Sequence, residues 1–239
     1  MMKTGALSAS RFLKENPALL TLSFDASTAV LTVALMKGNR CLDQLENRER
    51  KTHAEQLMPA IDLLLKRNNL SVQELELVAA GHGPGSYTGI RIALATALGL
   101  TSGTSTPLVT VSTLQAITPA EDSGIIYAVL DARGGRVYAG GYRHNVCLYE
   151  DRQTTAEALA QHIAKMHGGE MVTLAGNGAA AVARYIGTAR VWSDTWPQAV
   201  RLGELGRMQY ERMGRGLADA EVRPFYAAPT QAERLAGQT

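Results

Sequence analysis

Short apolar runs and amphipathic stretches alternate along most of the chain. In the first half, three apolar runs separated by polar turns predict an antiparallel meander, because such turns join consecutive strands. Later apolar stretches with helical spacing predict two helices, each followed by a further strand. In chain order, the predicted elements are strands at Leu19–Phe24, Val30–Met36 and Cys41–Leu45, a helix at Thr52–Arg67, a strand at Leu75–Ala80, a helix at Ser86–Leu100 and a strand at Pro107–Val111.

The second half repeats this order of elements. Each half begins with a strand that ends in aspartate, Asp25 or Asp131, and continues through a turn into a return strand. The pattern predicts a duplicated α/β fold with a first domain over 19–119 and a second over 120–239, the second including a C-terminal helix and tail. Residues 1–18 are predicted to be a flexible extension. The second-half elements are strands at Ile125–Leu130, Arg136–Tyr142, Cys147–Tyr149 and Val172–Ala175, with helices at Thr155–Met166, Asn177–Ile186 and Gln198–Met213.

The two predicted helices of the first half are more apolar than one buried face requires. Gly89, Ala93 and Ala97 stand four residues apart and form a ridge of small side chains, which lets another helix axis approach closely. We therefore expect a helix of another chain to pack here, so that Ala97→Glu abolishes pairing and leaves the fold intact. A thick core within one chain is the alternative that the pattern leaves open.

Composition and charge narrow the classes of function. The 239 residues are 46% hydrophobic and 19% charged, which suits a folded core, and the net charge is only +2. A dedicated nucleic-acid-binding domain usually carries a strong basic patch, so this balance argues against one. Cys41 and Cys147 lack metal-ligand spacing, and residues 1–17 contain no continuous apolar run. We expect a cytoplasmic protein without a membrane anchor.

A glycine-rich segment, Gly81–Arg91, follows a strand and opens a helix, where backbone N–H groups can hold an anion. It lacks the Lys-Ser/Thr pair of a Walker A loop and the third glycine of a dinucleotide fingerprint. A tight strand-to-helix turn that needs glycine is the other interpretation. The sequence shows no recognisable nucleophile or general base. It also shows no metal-binding histidine pair, since Leu57 stands where a zinc helix starting at His53 would need its second histidine.

Three further segments resemble parts of the nucleotide site of actin-like ATPases. The turn that starts at Asp25 resembles their phosphate-binding hairpin, but Ser27 replaces the usual glycine, and its Cβ hinders close approach of a phosphate. All three segments match only in part, and ordinary hairpin turns are the other interpretation. The candidate residues of such a degenerate site are Asp25, Ser27, Thr28, Asp131, Gly176 and Gly178.

The string Gly83–Ile92 closely resembles the bacterial TsaB (YeaZ) family, the partner subunit in threonylcarbamoyladenosine modification of tRNA. Other segments agree with the family in order: Leu22–Leu35, Thr52–Pro59, Val111–Leu114, Asp131–Arg133 and Val137–Tyr138. Pro224-Phe225-Tyr226 resembles the family's ending, although Ala227-Ala228 stand where a Leu-Arg pair is common.

The resemblance implies two ribonuclease-H-like units in the actin-like ATPase (ASKHA) architecture, with a degenerate nucleotide site. It implies a non-catalytic partner or activator of the TsaD synthase, which transfers threonylcarbamoyl to N6 of adenosine 37 in tRNAs that read A-starting codons. The chain is not expected to act as an enzyme by itself or to bind a cofactor or metal, since ATP and metal are expected on partner subunits. The histidine pair that binds metal in TsaD has no match in this chain.

The resemblance also implies a heterodimer with a TsaD-type subunit, a TsaE-type ATPase in a larger complex, a homodimer when the chain is alone, and only indirect contact with tRNA. The expected interface residues, on the two apolar helices, are His53, Leu57, Ile61, Leu64, Tyr87, Gly89, Ile90, Arg91, Ala93, Leu94 and Ala97. The alternative function is a small ATP-dependent kinase or ATPase of the same fold, using Asp25 and the Gly176 region. Nothing in the sequence supports a metallopeptidase.

Overall fold

A computed structural model describes residues 18–49, 53–119 and 124–227. The predicted extension over 1–18 lies outside these ranges except for Ala18, and so does Thr52, the first residue of a predicted helix.

The first half forms a five-stranded mixed sheet in the order β3-β2-β1-β4-β5. Strands β1 to β3 are an antiparallel meander, while β4 and β5 run parallel to β1. The parallel pairings need crossover connections, and a helix supplies each one. The elements are β1 (Leu20–Asp25), β2 (Leu31–Lys37), β3 (Arg40–Asn47), α1 (His53–Arg67), β4 (Leu77–Gly81), α2 (Tyr87–Thr101) and β5 (Leu108–Val111).

The second half has the same topology, since its sheet order is β8-β7-β6-β9-β10 when read from the corresponding edge. This repetition confirms the predicted duplication of a ribonuclease-H-like unit. Strand β10 was not predicted, β8 is longer than expected and α4 is shorter. The elements are β6 (Ile125–Asp131), β7 (Arg136–Arg143), β8 (Val146–Thr155), α3 (Ala156–His167), β9 (Val172–Ala175), α4 (Ala179–Ala183) and β10 (Ala189–Trp192).

The first core lies between its sheet and the helix pair α1–α2. Leu20, Leu22 and Phe24 alternate along β1 toward this core and are at most 7% exposed. Ser23 and Asp25 point to the opposite face of the same sheet and are also buried. Both faces of the sheet are therefore covered.

The last helix, α5 (Ala199–Met213), covers that opposite face. Gly206 allows close packing, because a Cβ there would lie 2.5 Å from the Cβ of Ala79. The Ser23 hydroxyl donates to the Ala199 carbonyl at 2.6 Å. The prediction that this helix belongs to the second domain over 120–239 is therefore wrong, because its buried face packs on the first sheet.

Polar contacts join the two halves. The Ser112 hydroxyl, in the first half, donates a hydrogen bond to the Asp151 carboxylate of β8. The same carboxylate accepts a second hydrogen bond from the Tyr142 hydroxyl of β7. Arg201 of α5 donates from Nε to the Thr118 carbonyl at 3.0 Å, in the segment that connects the halves. Within the described ranges, no helix has the length and hydropathy needed to cross a membrane.

Candidate functional site

A cleft of about 670 Å³ lies between the two halves, and we call it the interdomain cleft. The turn after β1, the N-terminus of α2 and the turn after β6 form its walls. The two halves share one topology, so these segments lie at corresponding ends of the two sheets. Its polar and aromatic lining residues include Ser27, Thr28, His53, Ser86, Tyr87, Thr88, Asp131, Arg133, Tyr138, Asn177 and Trp196.

Asp25 lies beneath this cleft and is fully buried. Its carboxylate accepts hydrogen bonds from the Ser27 backbone N–H at 2.6 Å, the Ser27 hydroxyl at 2.8 Å and the Thr113 hydroxyl at 2.6 Å. Burial raises the pKa of Asp25 above its ordinary value, although the bonds from Thr113 and Ser27 favour the charged form. The carboxylate and the Ser27 hydroxyl thus hydrogen-bond to each other and to the fold, and their part in a degenerate nucleotide site stays a prediction.

The glycines of the string 81–89 let this segment pack against the β1–β2 turn. A Cβ at Gly85 would lie 2.5 Å from the Ser27 carbonyl oxygen, and one at Gly89 would lie 2.1 Å from that of Ala26. The Ser86 N–H donates to the Ser27 carbonyl at 2.6 Å. Of the string's glycines, only Gly83 has a positive φ, at 105°. Close packing of two backbones therefore accounts for most of the string.

Of the candidate residues in the second half, Asp131 lines the cleft, whereas Gly176 and Gly178 are packed within the fold. Asp131 lines the cleft, and its carboxylate accepts the Arg133 N–H at 2.8 Å. Gly176 and Gly178 instead pack against β6, since a Cβ at Gly176 would lie 2.3 Å from the Val129 carbonyl oxygen. Their part in a degenerate nucleotide site stays a prediction. Thr28 does line the cleft, and its hydroxyl donates to the Val30 carbonyl at 3.0 Å.

His53 is the other polar group at the cleft with an unusual environment. Its Nδ1 lies 3.4 Å from the Ala26 carbonyl oxygen, while its Nε2 is buried without a hydrogen-bond partner among the described residues. Over the same ranges, no group of three or more His, Cys, Asp or Glu side chains could hold a metal ion.

Most of the predicted interface residues are inside the first core. Each of the following is buried against the sheet or the neighbouring helix and cannot contact another chain directly: Leu57, Ile61, Leu64, Gly89, Ile90, Ala93, Leu94 and Ala97. This corrects eight of the eleven interface predictions. Tyr87 and Arg91 are exposed and His53 is half-buried at the cleft. The ridge formed by Gly89, Ala93 and Ala97 therefore packs inside the core of this chain, which is the alternative that the sequence pattern left open.

A different line of residues, small except for Arg91, is exposed on α2. We call Thr88, Arg91, Ala95 and Gly99 the outer face of α2, since all four are exposed and point away from the sheet. A Cβ at Gly99 would meet no atom within 4 Å. On the adjacent α1, Met58 is 46% and Leu63 is 39% exposed. Helical spacing would have identified this face if the sequence had shown which side of α2 packs against the core.

The C-terminal tail returns to the glycine string. The Phe225 N–H donates to the His82 carbonyl at 2.9 Å, and the two rings meet edge to face with centroids 6.1 Å apart. The Tyr226 ring stacks on Tyr87 at 4.8 Å. The tail therefore holds the loop before α2, a role that the sequence pattern did not indicate.

His82 beneath this tail is expected to make stability depend on pH. Burial lowers its pKa from 6.5 to about 4, so the folded chain binds the proton more weakly than the unfolded chain. The stability this group contributes is full above pH 6.5 and is lost as the pH falls toward about 4. We expect urea unfolding to show this loss, and His82→Gln to remove it. A ring signal that titrates near 6.5 in NMR would contradict the burial argument.

Comparisons with known proteins agree with this architecture. A family model described as "TsaD: tRNA N6-adenosine threonylcarbamoyltransferase" matches residues 47–192, more than half of the chain. A protein of Bacillus subtilis named "tRNA threonylcarbamoyladenosine biosynthesis protein TsaB" is 32% identical over 131 residues, covering 54% of this chain and 57% of that protein. Its namesake in Escherichia coli is 30% identical over 128 residues, covering 52% and 55%. The chain thus spans little more than half the length of these curated relatives.

Solved structures extend the similarity to most of the chain. YeaZ from Pseudomonas aeruginosa superposes with a TM-score of 0.74 at 25% identity, covering 87% of this chain and 99% of that one. An activator of the 2-hydroxyisocaproyl-CoA dehydratase from Clostridium difficile, at 10% identity and a TM-score of 0.51, shares the fold alone over 82% of this chain and 97% of its own. Because the family model covers more than half of the residues, the chain belongs to that family, and its curated relatives and the YeaZ fold place it in the TsaB (YeaZ) branch.

Proposed function

We propose that this protein is a non-catalytic partner and activator of a TsaD-type synthase, in the transfer of threonylcarbamoyl to N6 of adenosine 37 in tRNAs that read A-starting codons. The observation that carries the proposal is the outer face of α2, in a chain whose curated relatives are named for threonylcarbamoyladenosine biosynthesis. That face combines small exposed residues with a single charge, and the fold does not cover it.

The chemistry of this face suits a partner helix. Ala95 and Gly99 lie one helical turn apart, so another backbone can approach α2 closely there. On α1, the neighbouring helix, the larger apolar side chains of Met58 and Leu63 are also exposed. A contact between two helix pairs would bury on the order of 1,500 Å², the size of a standard specific interface. In the absence of the synthase, the same face is available for a homodimer.

The described residues favour a supporting role over catalysis. Asp25 and Ser27, which the kinase alternative would need, are buried and hydrogen-bonded within the fold. The relatives named for tRNA modification give that alternative no support either. We therefore propose that the chain binds no cofactor or metal of its own and that ATP and metal act on its partners. Titration of the isolated chain with ATP and Mg²⁺ is expected to give no saturable signal at millimolar nucleotide.

The wider assembly follows from the same proposal. A TsaE-type ATPase joins the larger complex, and tRNA contacts this chain only indirectly, in keeping with a net charge of +2. The place of action is the cytoplasm, where tRNA is modified.

Complex formation tests the proposal. The full chain, mixed with the TsaD-type subunit of the same organism, is expected to elute from a size-exclusion column as one species with the mass of a heterodimer. Two separate peaks at micromolar concentrations of both proteins would contradict it. Light scattering of the chain alone then reports whether a homodimer precedes the heterodimer.

A further inference from the structure

Arg91 is the single charged residue of α2, whose other fourteen residues are apolar, small or uncharged. It stands at the start of the exposed line that continues through Ala95 and Gly99. A lone cation beside an apolar surface is costly when a partner covers it, unless that partner supplies an opposite charge. The environment of its guanidinium is therefore informative about the partner.

Two tyrosines hold this guanidinium in place. Its Cζ lies 4.4 Å from the centroid of the Tyr87 ring, and its Nε donates to the Tyr226 hydroxyl at 3.1 Å. The two tyrosine rings stack with an interplanar angle of 24°. Because the side chain is already ordered, it loses little conformational entropy when it binds a further group.

The terminal N–H groups of Arg91 make no hydrogen bond to the residues that the structure describes. Among the described residues, none accepts a hydrogen bond from them, and no carboxylate lies within 4.0 Å of the guanidinium. These groups form the edge that pairs best with a planar carboxylate, through two parallel hydrogen bonds. The described residues thus order this cation without neutralising it.

We propose that Arg91 binds a carboxylate of the partner subunit, an Asp or Glu side chain carried by the surface that packs on Ala95 and Gly99. This rests on the proposed function, because it names the chemistry that the partner must present at the same face. Small residues permit the close approach, and Arg91 fixes the position of the partner at one end of the line. The C-terminal tail contributes through Tyr226, which makes it part of the docking surface.

Binding of the cognate TsaD-type subunit to the full chain, measured by calorimetry at 50 and 300 mM NaCl, tests the assignment. Arg91→Gln is expected to raise Kd about 30-fold or more at low salt, because it leaves a carboxylate unpaired in the interface. It should also flatten the salt dependence that the wild-type chain shows. Arg91→Lys keeps the charge but loses the paired geometry, so an intermediate loss is expected. Tyr226→Phe should weaken binding by about 3-fold to 10-fold, as expected for one hydrogen bond.

The control is Arg184→Gln, which removes an exposed arginine from the second half, and it should bind like wild type. Thermal melting of every variant separates lost binding from lost folding. An Arg91→Gln chain that binds within twofold of wild type with the same salt dependence overturns the assignment alone. A wild-type chain that does not bind at all overturns the proposed function, and the assignment with it.

Discussion

Ala95→Glu is expected to weaken binding of the TsaD-type subunit at least about 100-fold while the chain stays folded. The residue is exposed at the centre of the outer face of α2, so the isolated chain can hydrate the new carboxylate. In the complex, the carboxylate would be buried without a partner, which typically costs several kcal/mol, and each 1.4 kcal/mol corresponds to a tenfold change in Kd. Calorimetry and thermal melting measure the two effects.

Ala164→Glu is the matched control, since Ala164 is an exposed alanine within α3 of the second half. It should leave Kd unchanged. An Ala95→Glu chain that binds as tightly as this control would show that the partner does not cover α2. Ala97→Glu, which the sequence pattern suggested, does not serve this purpose, because Ala97 is 0% exposed and a carboxylate there disrupts the core.

The same substitution at two glycines of α2 is expected to have opposite effects on stability. Gly89→Ala should lower the free energy of unfolding by about 2 kcal/mol or more, since its Cβ would lie 2.1 Å from the Ala26 carbonyl oxygen. Gly99→Ala should raise it by up to about 1 kcal/mol, because nothing lies within 4 Å and alanine favours the helix. Melting temperatures are then expected to differ by roughly 6 °C or more.

This pair carries its own control, because helix propensity changes equally at both sites. Equal stability of the two variants would contradict the close packing of α2 on the β1–β2 turn. Gly99→Ala is also expected to weaken partner binding, since it fills the position of closest approach. A stabilised chain that binds less well would separate the two roles of α2.

Most of the topology could be predicted from the sequence because every predicted strand and helix of the first half except β5 has a predicted counterpart in the second. Polar turns separated the strands, and the aspartates Asp25 and Asp131 marked the start of each repeat. The C-terminal helix could not be assigned in this way. Its position after the second unit suggested the second domain, whereas its packing against Ala79 and Ser23 places it on the first sheet.

The candidate site was harder to predict, and α2 shows why. In a helix that is apolar nearly all round, the sequence does not show which side faces the core. Gly89, Ala93 and Ala97 could therefore equally face the core or a partner. Only the packed structure distinguishes them from Ala95 and Gly99. The same holds for Gly176, whose resemblance to an adenosine-site glycine reflects contact with the Val129 backbone instead. The contact between Tyr226 and Arg91 joins residues 135 positions apart and leaves no local pattern.

We propose that this chain is a required, non-catalytic partner in tRNA modification. The most direct measurement is an omission assay, in which threonylcarbamoyladenosine formation on tRNA is reconstituted from the cognate components with and without this chain. We expect modification to collapse when the chain is left out, to return when it is added, and not to return with Ala95→Glu. Modification that proceeds equally well without the chain would rule out the proposed role.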